Sequence, residues 1–460
     1  GGTYSGNIAN SGTFLYNGAN SQTLSGVISG SGALTQNGTG TLTLSGSNTF
    51  NGTLSINSGT LSVATLNNAN ANGVLGNSAT TIQLGSATTS GTLQLTGNGS
   101  TNRNFNLGAA GGIVNITSGN ANSNTFSGNI SGSGNLIKIG NGTVLQLQGS
   151  NTYTGQTIAR EGFLNIASAN ALGGGGALII GDNSSSNSTN SVTINVDTGA
   201  NGQTYSNNIT FVSNGQSQAK TIQSRVANVT LNGTITVAPN TKFCASATNM
   251  LTLSGLITGT SSLVAIDLNN GPGTVLITNS ANDFNNGVSN SLAVSRGTLR
   301  LQGNDTAVGG VAGILGRGTG ALTVTGGSNA NENAQILITN GDFTIARAIN
   351  MNQTSTASTF NTLGGDTANN STFSGNITIA NGTNTTNQLT AATNGTVNFT
   401  GVISGTASNG LSKIGNGLVV LSGNNTYTGD TAINAGTLEI GGTGRLGGGT
   451  YSGNIANSGT

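Results

Sequence analysis

A segment of about 25 residues recurs four times in this chain, and its pattern restricts the fold more than any other feature. Each copy contains short runs in which polar and apolar residues alternate, as in Thr41-Leu42-Thr43-Leu44. Alternate side chains of a strand point to opposite faces, so each run predicts a short strand with one buried face. Asn-Gly, Ser-Gly and Gly-Gly pairs bound the runs and predict turns. Because no stretch has a helical period, we predict an all-β fold. The copies lie at residues 37–63, 141–166, 271–301 and 416–440.

Each copy is flanked by two further elements in a constant order. A segment such as TLSGVISGSG precedes it, and a Leu-Gly pair follows it. Short strands in a recurring unit are typical of a β-solenoid, in which each coil stacks on the last. This recurring order of elements divides the chain into modules at about 1–76, 77–173, 174–316 and 317–447. The preceding segments lie at 23–32, 125–134, 252–261 and 399–408, and the pairs begin at Leu75, Leu172, Leu315 and Leu446.

The near-absence of charge agrees with stacked coils. Only 5% of the residues are charged, and the formal net charge is +1. Stacked Asn, Thr and Ser can hydrogen-bond along a ladder, whereas stacked like charges repel. The chain is also unlike disordered proteins, because apolar residues form 34% of it in a regular pattern. We therefore predict one continuous parallel β-helix over residues 1–460, elongated and made of about 20 coils of roughly 20–25 residues.

The same 13 residues, GGTYSGNIANSGT, occupy positions 1–13 and 448–460. Aligned with the modules, they predict a 447-residue period in which 448–460 begin the next repeat. At about 4.8 Å per coil, one period would be on the order of 100 Å long. We expect the native polypeptide or assembly to continue past both copies.

The residue types needed for catalysis are scarce. The chain has no His, so neither a Ser-His-Asp triad nor the commonest metal ligand is present. The acidic residues are scattered along the sequence. Neighbouring coils could still bring Asp182 close to Asp197, or Asp267 close to Asp283, and either pair would resemble the two carboxylates of a glycosidase. Isolated, solvated carboxylates are the favoured interpretation. We predict a protein that is not an enzyme, with no catalytic residue, no cofactor and no metal site.

Three smaller features could suggest a functional site, but we favour a structural interpretation of each. Cys244 is a single thiol without a His partner, and we expect it to be small buried filler. The run 173–176 is GGGG without the Lys and helix of a phosphate loop, and we interpret it as a glycine corner. Residues 364–366 (Gly-Gly-Asp) suggest calcium, but no nonapeptide calcium repeat accompanies them.

Composition also limits the partners and the location. No basic cluster or aromatic platform for nucleic acid is visible, and no apolar run approaches a membrane helix. We predict no nucleic-acid partner and no small-molecule substrate. A large chain with few thiols and few charges is typical of an extracellular or cell-surface protein.

Two of the four copies share a longer motif. It comprises Gly140–Thr143, Leu145, Leu147, Gly149, Asn151–Gly155 and Thr157 in one copy, and Gly415–Gly417, Leu421, Gly423, Asn425–Gly429 and Thr431 in the other. These residues resemble the autotransporter-associated β-strand repeats of bacterial passenger regions, over about a quarter of the chain. The resemblance implies a right-handed parallel β-helix displayed outside a Gram-negative-type cell.

These observations favour a structural function: the repeat unit of a long extracellular fibre, filament or surface stalk built by stacking coils end to end. Its partner would be itself, through end-to-end continuation and lateral association. The alternative is an autotransporter-type adhesin passenger that attaches to surfaces or cells. Insertions at 181–191 and 303–335 would then form the contact with a cell surface or a carbohydrate.

The scarcity of charges and thiols generates a first prediction. Raising NaCl from about 0.05 M to about 1 M should move the thermal unfolding midpoint by no more than about 2 °C, because few ion pairs are available to be screened. Adding a thiol reductant should have no effect, because a single Cys forms no internal disulfide. Circular dichroism melts measure both, and a sharp fall in either condition would contradict the prediction.

Overall fold

In a computed structural model of the chain, the described residues are 2–119, 123–142, 144–181, 191–197, 201–213, 218–246, 248–260, 264–266, 273–284, 292–306, 310–326, 332–352, 359–380, 385–405 and 410–459. They form short strands and one 3₁₀ turn, Gly447–Gly449, with no α-helix among them. No helix in these ranges is long and apolar enough to cross a membrane. Contacts divide the chain into two units, Gly1–Thr221 and Ile222–Thr460.

In the first unit the strands, numbered along the chain, form three main parallel ladders and one short pair. The longest ladder has the order β1 (Gly2–Tyr4), β4 (Gln22–Leu24), β7 (Thr41–Leu44), β9 (Thr60–Val63), β11 (Gly91–Leu95), β14 (Gly112–Ile116), β17 (Leu136–Ile139), β19 (Thr157–Ala159), β21 (Leu178–Ile180) and β24 (Ile209–Phe211). The second comprises β3 (Thr13–Tyr16), β6 (Ala33–Gln36), β8 (Leu54–Ile56), β10 (Ile82–Leu84), β13 (Phe105–Leu107) and β16 (Ile130–Gly132). The third comprises β12 (Gly99–Thr101), β15 (Asn124–Phe126), β18 (Leu145–Leu147), β20 (Gly162–Ile166) and β22 (Val192–Val196). The short pair is β2 (Ile8–Ala9) with β5 (Ile28–Ser29), and β23 (Gln203–Tyr205) completes the unit.

The second unit has the same organisation. Its longest ladder has the order β26 (Val229–Leu231), β29 (Met250–Leu253), β32 (Thr274–Ile277), β34 (Gly297–Leu301), β36 (Ala334–Ile338), β39 (Thr359–Gly365), β42 (Thr385–Ala391), β45 (Leu411–Ile414), β47 (Thr431–Ile433) and β49 (Ile455–Asn457). Another comprises β28 (Thr241–Ala245), β31 (Val264–Ile266), β33 (Ala293–Val294), β35 (Leu322–Val324), β38 (Ile349–Asn352), β41 (Ile377–Ala380) and β44 (Ile403–Gly405). A third comprises β37 (Thr344–Ile345), β40 (Asn370–Phe373), β43 (Thr396–Phe399), β46 (Leu418–Leu421) and β48 (Thr437–Ile440). The pair β27 (Ile235–Thr236) and β30 (Ile257–Thr258) belongs to this unit, and β25 (Lys220–Ser224) crosses the boundary in sequence.

The ladders confirm the predicted parallel β-solenoid. Each strand pairs in register with the strand one turn later, as Leu24 does with Leu44 and Leu44 with Val63. Most turns take about 20–25 residues, but Thr60 pairs with Thr92 and Gly297 pairs with Ala334, because insertions lengthen those turns. The number of turns is accordingly slightly lower than the expected 20 or so.

The core consists of like residues stacked on like. Inward Leu24, Leu44, Val63 and Leu95 lie in one column, each no more than 4% exposed. Aromatic rings stack in the same way, since Phe373 pairs with Phe399 with ring centroids 5.1 Å apart and planes 6° apart. Burying such a side chain contributes about 1.5–3 kcal/mol, so stability is distributed evenly along the ladders.

A buried asparagine joins the three sequence elements of every module. Its side-chain oxygen accepts the amide of an isoleucine in the preceding segment, one turn below. In three modules its side-chain NH₂ donates to the carbonyl just before the Leu-Gly pair, one turn above. The contacts are Ile28 N to Asn48 Oδ1 (2.8 Å) and Asn48 Nδ2 to Val74 O (2.9 Å); Ile130 N to Asn151 Oδ1 (2.8 Å) and Asn151 Nδ2 to Ala171 O (2.7 Å); Ile257 N to Asn282 Oδ1 (2.8 Å) and Asn282 Nδ2 to Ile314 O (3.0 Å). We call this arrangement the asparagine clamp.

The fourth clamp differs in its donor. Asn425 Oδ1 accepts the amide of Ile403 at 2.9 Å, as in the other modules. Its NH₂ group, however, donates to Gly423 O within the same turn, and its backbone amide reaches Arg445 O one turn above. The clamp therefore keeps its link to both neighbouring turns.

The glycine of the Leu-Gly pair closes the corner above the clamp. Gly76 and Gly173 have φ of 75° and 74°, a region that favours glycine. A Cβ on Gly76 would lie 2.7 Å from the ring of Phe50, which fills the corner below. The recurring order of Asn, aromatic residue and Leu-Gly thus has one structural cause: the three elements pack together at the same corner of successive turns.

Removing one clamp should loosen two turns locally. Asn151→Ala leaves the buried Ile130 amide without a partner and leaves the Ala171 carbonyl only the long bond from Tyr153 OH (3.4 Å), at a cost of about 1–3 kcal/mol. Hydrogen exchange followed by mass spectrometry should show faster exchange in peptides around both residues.

The matched control is Asn129→Ala, which removes an exposed bond from the Ser150 amide. It should change the free energy of local opening, obtained from the exchange rates, by less than about 1 kcal/mol. Equal effects of the two substitutions would contradict the importance assigned to burial.

Candidate functional surfaces

A polar side chain is enclosed by backbone carbonyls at one corner of three modules. Lys138 Nζ donates to Gly140 O and to Glu161 O one turn above, and Lys413 Nζ donates to Gly415 O and Ala435 O in the same way. Gln36 takes this position in the first module and donates to Gly38 O and Gly40 O. All three side chains are at most 1% exposed. We call this arrangement the carbonyl cage.

Burial sets the protonation of the caged lysines. Desolvation lowers the pKa of Lys138 and of Lys413 from 10.5 to about 8, and for Lys138 the nearby Glu161 opposes the shift. The carbonyl acceptors carry no charge, so no ion pair compensates the burial within the cage. The cage serves packing, because its carbonyls already use the ammonium donors.

Two buried arginines occupy a related position. Arg103 Nη1 donates to the carbonyls of Leu75 and Gly76, and Arg347 donates to those of Leu315 and Gly316. Arg347 also pairs with buried Asp305 at 2.9 Å. Burial lowers the pKa of Arg103 from 12.5 to about 10. The sequence patterns did not predict these buried arginines. They could have been found from their position, because each is a rare charged residue that follows a Leu-Gly pair by about one turn.

The outer face of the first unit carries an apolar column. Ile113, Ile137, Ile158 and Ile179 are partners in successive strands; Ile137 is 9% exposed and the other three are half-buried. The same column holds threonine in the neighbouring strands of the ladder, such as Thr92 next to Ile113. We call these four isoleucines the isoleucine column.

The outer face of the second unit contains a cleft of about 440 Å³, which we call the lateral cleft. Its polar lining includes Gln335, Thr362 and Asp366, and Leu337 supplies an apolar wall. The remaining lining residues are Gly365, Thr390, Ala391, Ala392, Thr393, Ile414, Gly415 and Asn416. A volume in this range is typical of small-ligand sites.

The structure places the smaller sequence candidates as follows. Cys244 is buried, with 4% exposure, and forms no disulfide. Gly173 and Gly175 have positive φ, and Gly174 donates to Tyr153 O, which makes the run 173–176 a corner. Asp366 of the calcium candidate pairs with Arg300. Across the described ranges, no group of three or more His, Cys, Asp or Glu is arranged to hold a metal ion.

Two further candidates are only partly covered. Asp182 and Asp267, one member of each carboxylate pair, lie outside the described residues, and so does most of the insertion 181–191. Within the insertion 303–335, Asp305, Ile314 and Leu315 are buried. Those residues of the insertion therefore belong to the core and not to an exposed loop.

The caged lysines predict a rise in stability at alkaline pH. Their folded pKa of about 8 lies below the ordinary 10.5, so the unfolded chain holds more protons between these values. The free energy of unfolding should therefore increase with pH in that range, by up to about 3 kcal/mol for each lysine. Urea unfolding followed by circular dichroism measures this change.

The double variant Lys138→Gln, Lys413→Gln is the control, since Gln36 already occupies one cage. It should fold and lose most of the rise; Lys220, whose pKa burial also lowers, keeps a part of it. Buried Tyr153 and Tyr427, whose pKa burial raises from 10 to about 12, should lower stability above about pH 10 in both proteins. An unchanged rise in the variant would assign it to other groups.

Comparison with known proteins agrees with this architecture. A family profile, the passenger-associated-transport-repeat, matches residues 34–63, 136–166 and 411–440. These segments contain Gln36, Lys138 and Lys413 of the carbonyl cages. The Adhesin BmaC autotransporter of Brucella suis biovar 1 (strain 1330) is 41% identical over 86 residues, which are 19% of this chain and 2% of that protein. No solved structure matches the chain.

The weaker copy at 271–301 lies outside the three family matches. The chain spans only a small fraction of the length of its curated relative. The resemblance predicted from the sequence is nevertheless confirmed: the chain carries repeats of the autotransporter passenger type on a parallel β-solenoid, and it is located at the cell surface or outside the cell.

Proposed function

We propose that this chain is a non-enzymatic structural protein, the repeat unit of a long extracellular fibre or surface stalk. Coils would stack end to end, and the main partner would be another copy of the same sequence. The observation that carries this proposal is the recurrence of one 13-residue segment at 1–13 and 448–460, paired in a parallel ladder in both places.

The copy at residues 1–13 bonds to the turn that follows it. Ile8 N donates to Val27 O, and Asn10 N donates to Ser29 O. Asn7 Oδ1 accepts the Val27 amide at 2.9 Å. These contacts use one edge of the segment.

The copy at 448–460 bonds to the turn that precedes it. Ser458 N donates to Ile433 O, and Asn454 N donates to the carboxylate of Asp430 at 2.7 Å. Tyr451 OH lies 2.7 Å from Thr431 Oγ1. At equivalent positions, 447 residues apart, these donors are different from those used in the first copy. The two sets of bonds therefore do not compete for the same donors.

Electron microscopy of native material should show filaments with an axial repeat on the order of 100 Å. A native species that stays monomeric at 45.0 kDa and forms no filaments would contradict the proposal.

The register of the junction can be tested by cross-linking in a Cys244→Ala background. In the shared-turn arrangement Ala456 takes the place of Ala9, whose partner in the ladder is Ser29. Adjacent strands place Cα atoms about 4.8 Å apart, within disulfide reach. Mixing Ala456→Cys with Ser29→Cys protein under oxidising conditions should give cross-linked dimers.

A control mixture of Ala456→Cys with Ser131→Cys should give none, because Ser131 lies within the first unit in β16. Cross-links between Ala456→Cys and Ala9→Cys would instead indicate that one copy stacks beneath the other without sharing a turn.

The second candidate function is adhesion, and it is favoured by the similarity to an autotransporter adhesin. Contact would involve the lateral faces, including the isoleucine column for association between copies. Replacing the half-buried Ile158 and Ile179 by Thr, the residue that Thr92 provides in the same column, should reduce attachment or bundling without unfolding the chain. A purely axial fibre would be unaffected.

A further inference from the structure

The lateral cleft is a depression that lies beside Gly364. Gly364 pairs with Leu337 in the strand below and with Thr390 in the strand above, at an outward position. A Cβ there would lie 2.0 Å from Thr390 O, so glycine lets the two strands approach closely at this point. Leu337 and Thr390, its two ladder partners, line the cleft.

An ion pair closes one side of this depression. Arg300 extends from β34 across Leu337, and its Nε lies 2.6 Å from Asp366 Oδ2. The pair makes this side of the cleft neutral overall. Asp366 Oδ1 is buried and has no hydrogen-bond partner, although Asp366 lines the cleft. A carboxylate oxygen without a partner is costly, and a small rotation of the Asp366 side chain, which is 20% exposed, would let a ligand hydroxyl donate to it.

The other polar groups of the cleft are uncharged. Gln335 and Asn416 provide amides that both donate and accept, and Thr362, Thr390 and Thr393 provide hydroxyls. Thr362 Oγ1 is 3.1 Å from Gln388 Oε1, so the hydroxyl is held in a fixed direction. Such groups suit a ligand that carries many hydroxyls and no charge.

Apolar surface lies beside these groups. Leu337, Ala391 and Ile414 line the cleft. Apolar side chains at these positions can pack on the C–H face of a sugar.

We infer that the lateral cleft binds a neutral saccharide, with Asp366 as the main hydrogen-bond acceptor and Leu337 and Ile414 as apolar contacts. The site lies within the second unit and does not require end-to-end stacking. It deepens the adhesion candidate, and it can fail or succeed independently of the fibre.

The test is isothermal titration of the full chain with three neutral probes: maltohexaose, cellohexaose and mannohexaose. At least one should bind with a Kd of about 1 mM or tighter. Asp366→Asn keeps the shape of the side chain but weakens the acceptor, and it should reduce affinity about ten-fold or more. Circular dichroism checks that the variant is folded.

A second variant blocks the cleft. Thr393→Arg places a long side chain at an exposed lining position and should abolish binding. Its matched control is Thr400→Arg, an exposed threonine outside the cleft with the same charge change, which should bind like the wild type.

Three results would overturn the inference. They are the absence of binding for all three probes at about 10 mM, equal affinity in wild type and both cleft variants, or binding of calcium alone at Asp366. The filament experiment does not depend on any of them.

Discussion

The structure depends on the pairing of each turn with an equivalent turn above and below. In a parallel ladder every residue faces a partner in the same structural position, so whatever is unfavourable between two neighbours is repeated along the column. Leu24 on Leu44 and Phe373 on Phe399 satisfy this condition inside, and Asn and Thr satisfy it outside. Stacked like charges do not satisfy this condition, because they repel. This explains why a chain of 460 residues has only 12 Lys and Arg and 11 Asp and Glu.

The buried polar residues mark the places where the backbone cannot pair with itself. At each corner the chain leaves the ladder, and its amides and carbonyls need other partners. The asparagine clamp supplies one donor and one acceptor, and it connects three successive turns. The carbonyl cage has only acceptors to satisfy, so Lys138, Lys413 and Gln36 all serve. The interchange of an ammonium and an amide indicates that the number of N–H donors matters more than the charge.

Alternation and turn pairs are enough to predict strands, corners and the parallel solenoid. The runs around Leu42, Leu145 and Leu421 form strands in the expected module positions. The clamp was not predicted, although its three parts were each recognised as recurring elements. Asn151 bonds to residues about 20 positions away on either side, and sequence proximity contains no information about which turns meet. The lateral cleft was missed for the same reason, since the Arg300 and Asp366 side chains come together across two turns.

The two proposed functions use different directions of the solenoid, so they do not compete for the same surface. Axial stacking is repetitive, because a turn can continue a ladder only if its inward residues and corner asparagines match those of its neighbour. Outward residues are free of this condition, and there the chain varies: isoleucines in the first unit, and a glycine, an ion pair and amides in the second. Selection for a longer solenoid would act on the asparagine clamp, the carbonyl cage and the corner that Phe50 fills beside Gly76. Selection for attachment would act on outward positions alone. A passenger that combines the two can therefore change what it binds without changing how its turns stack.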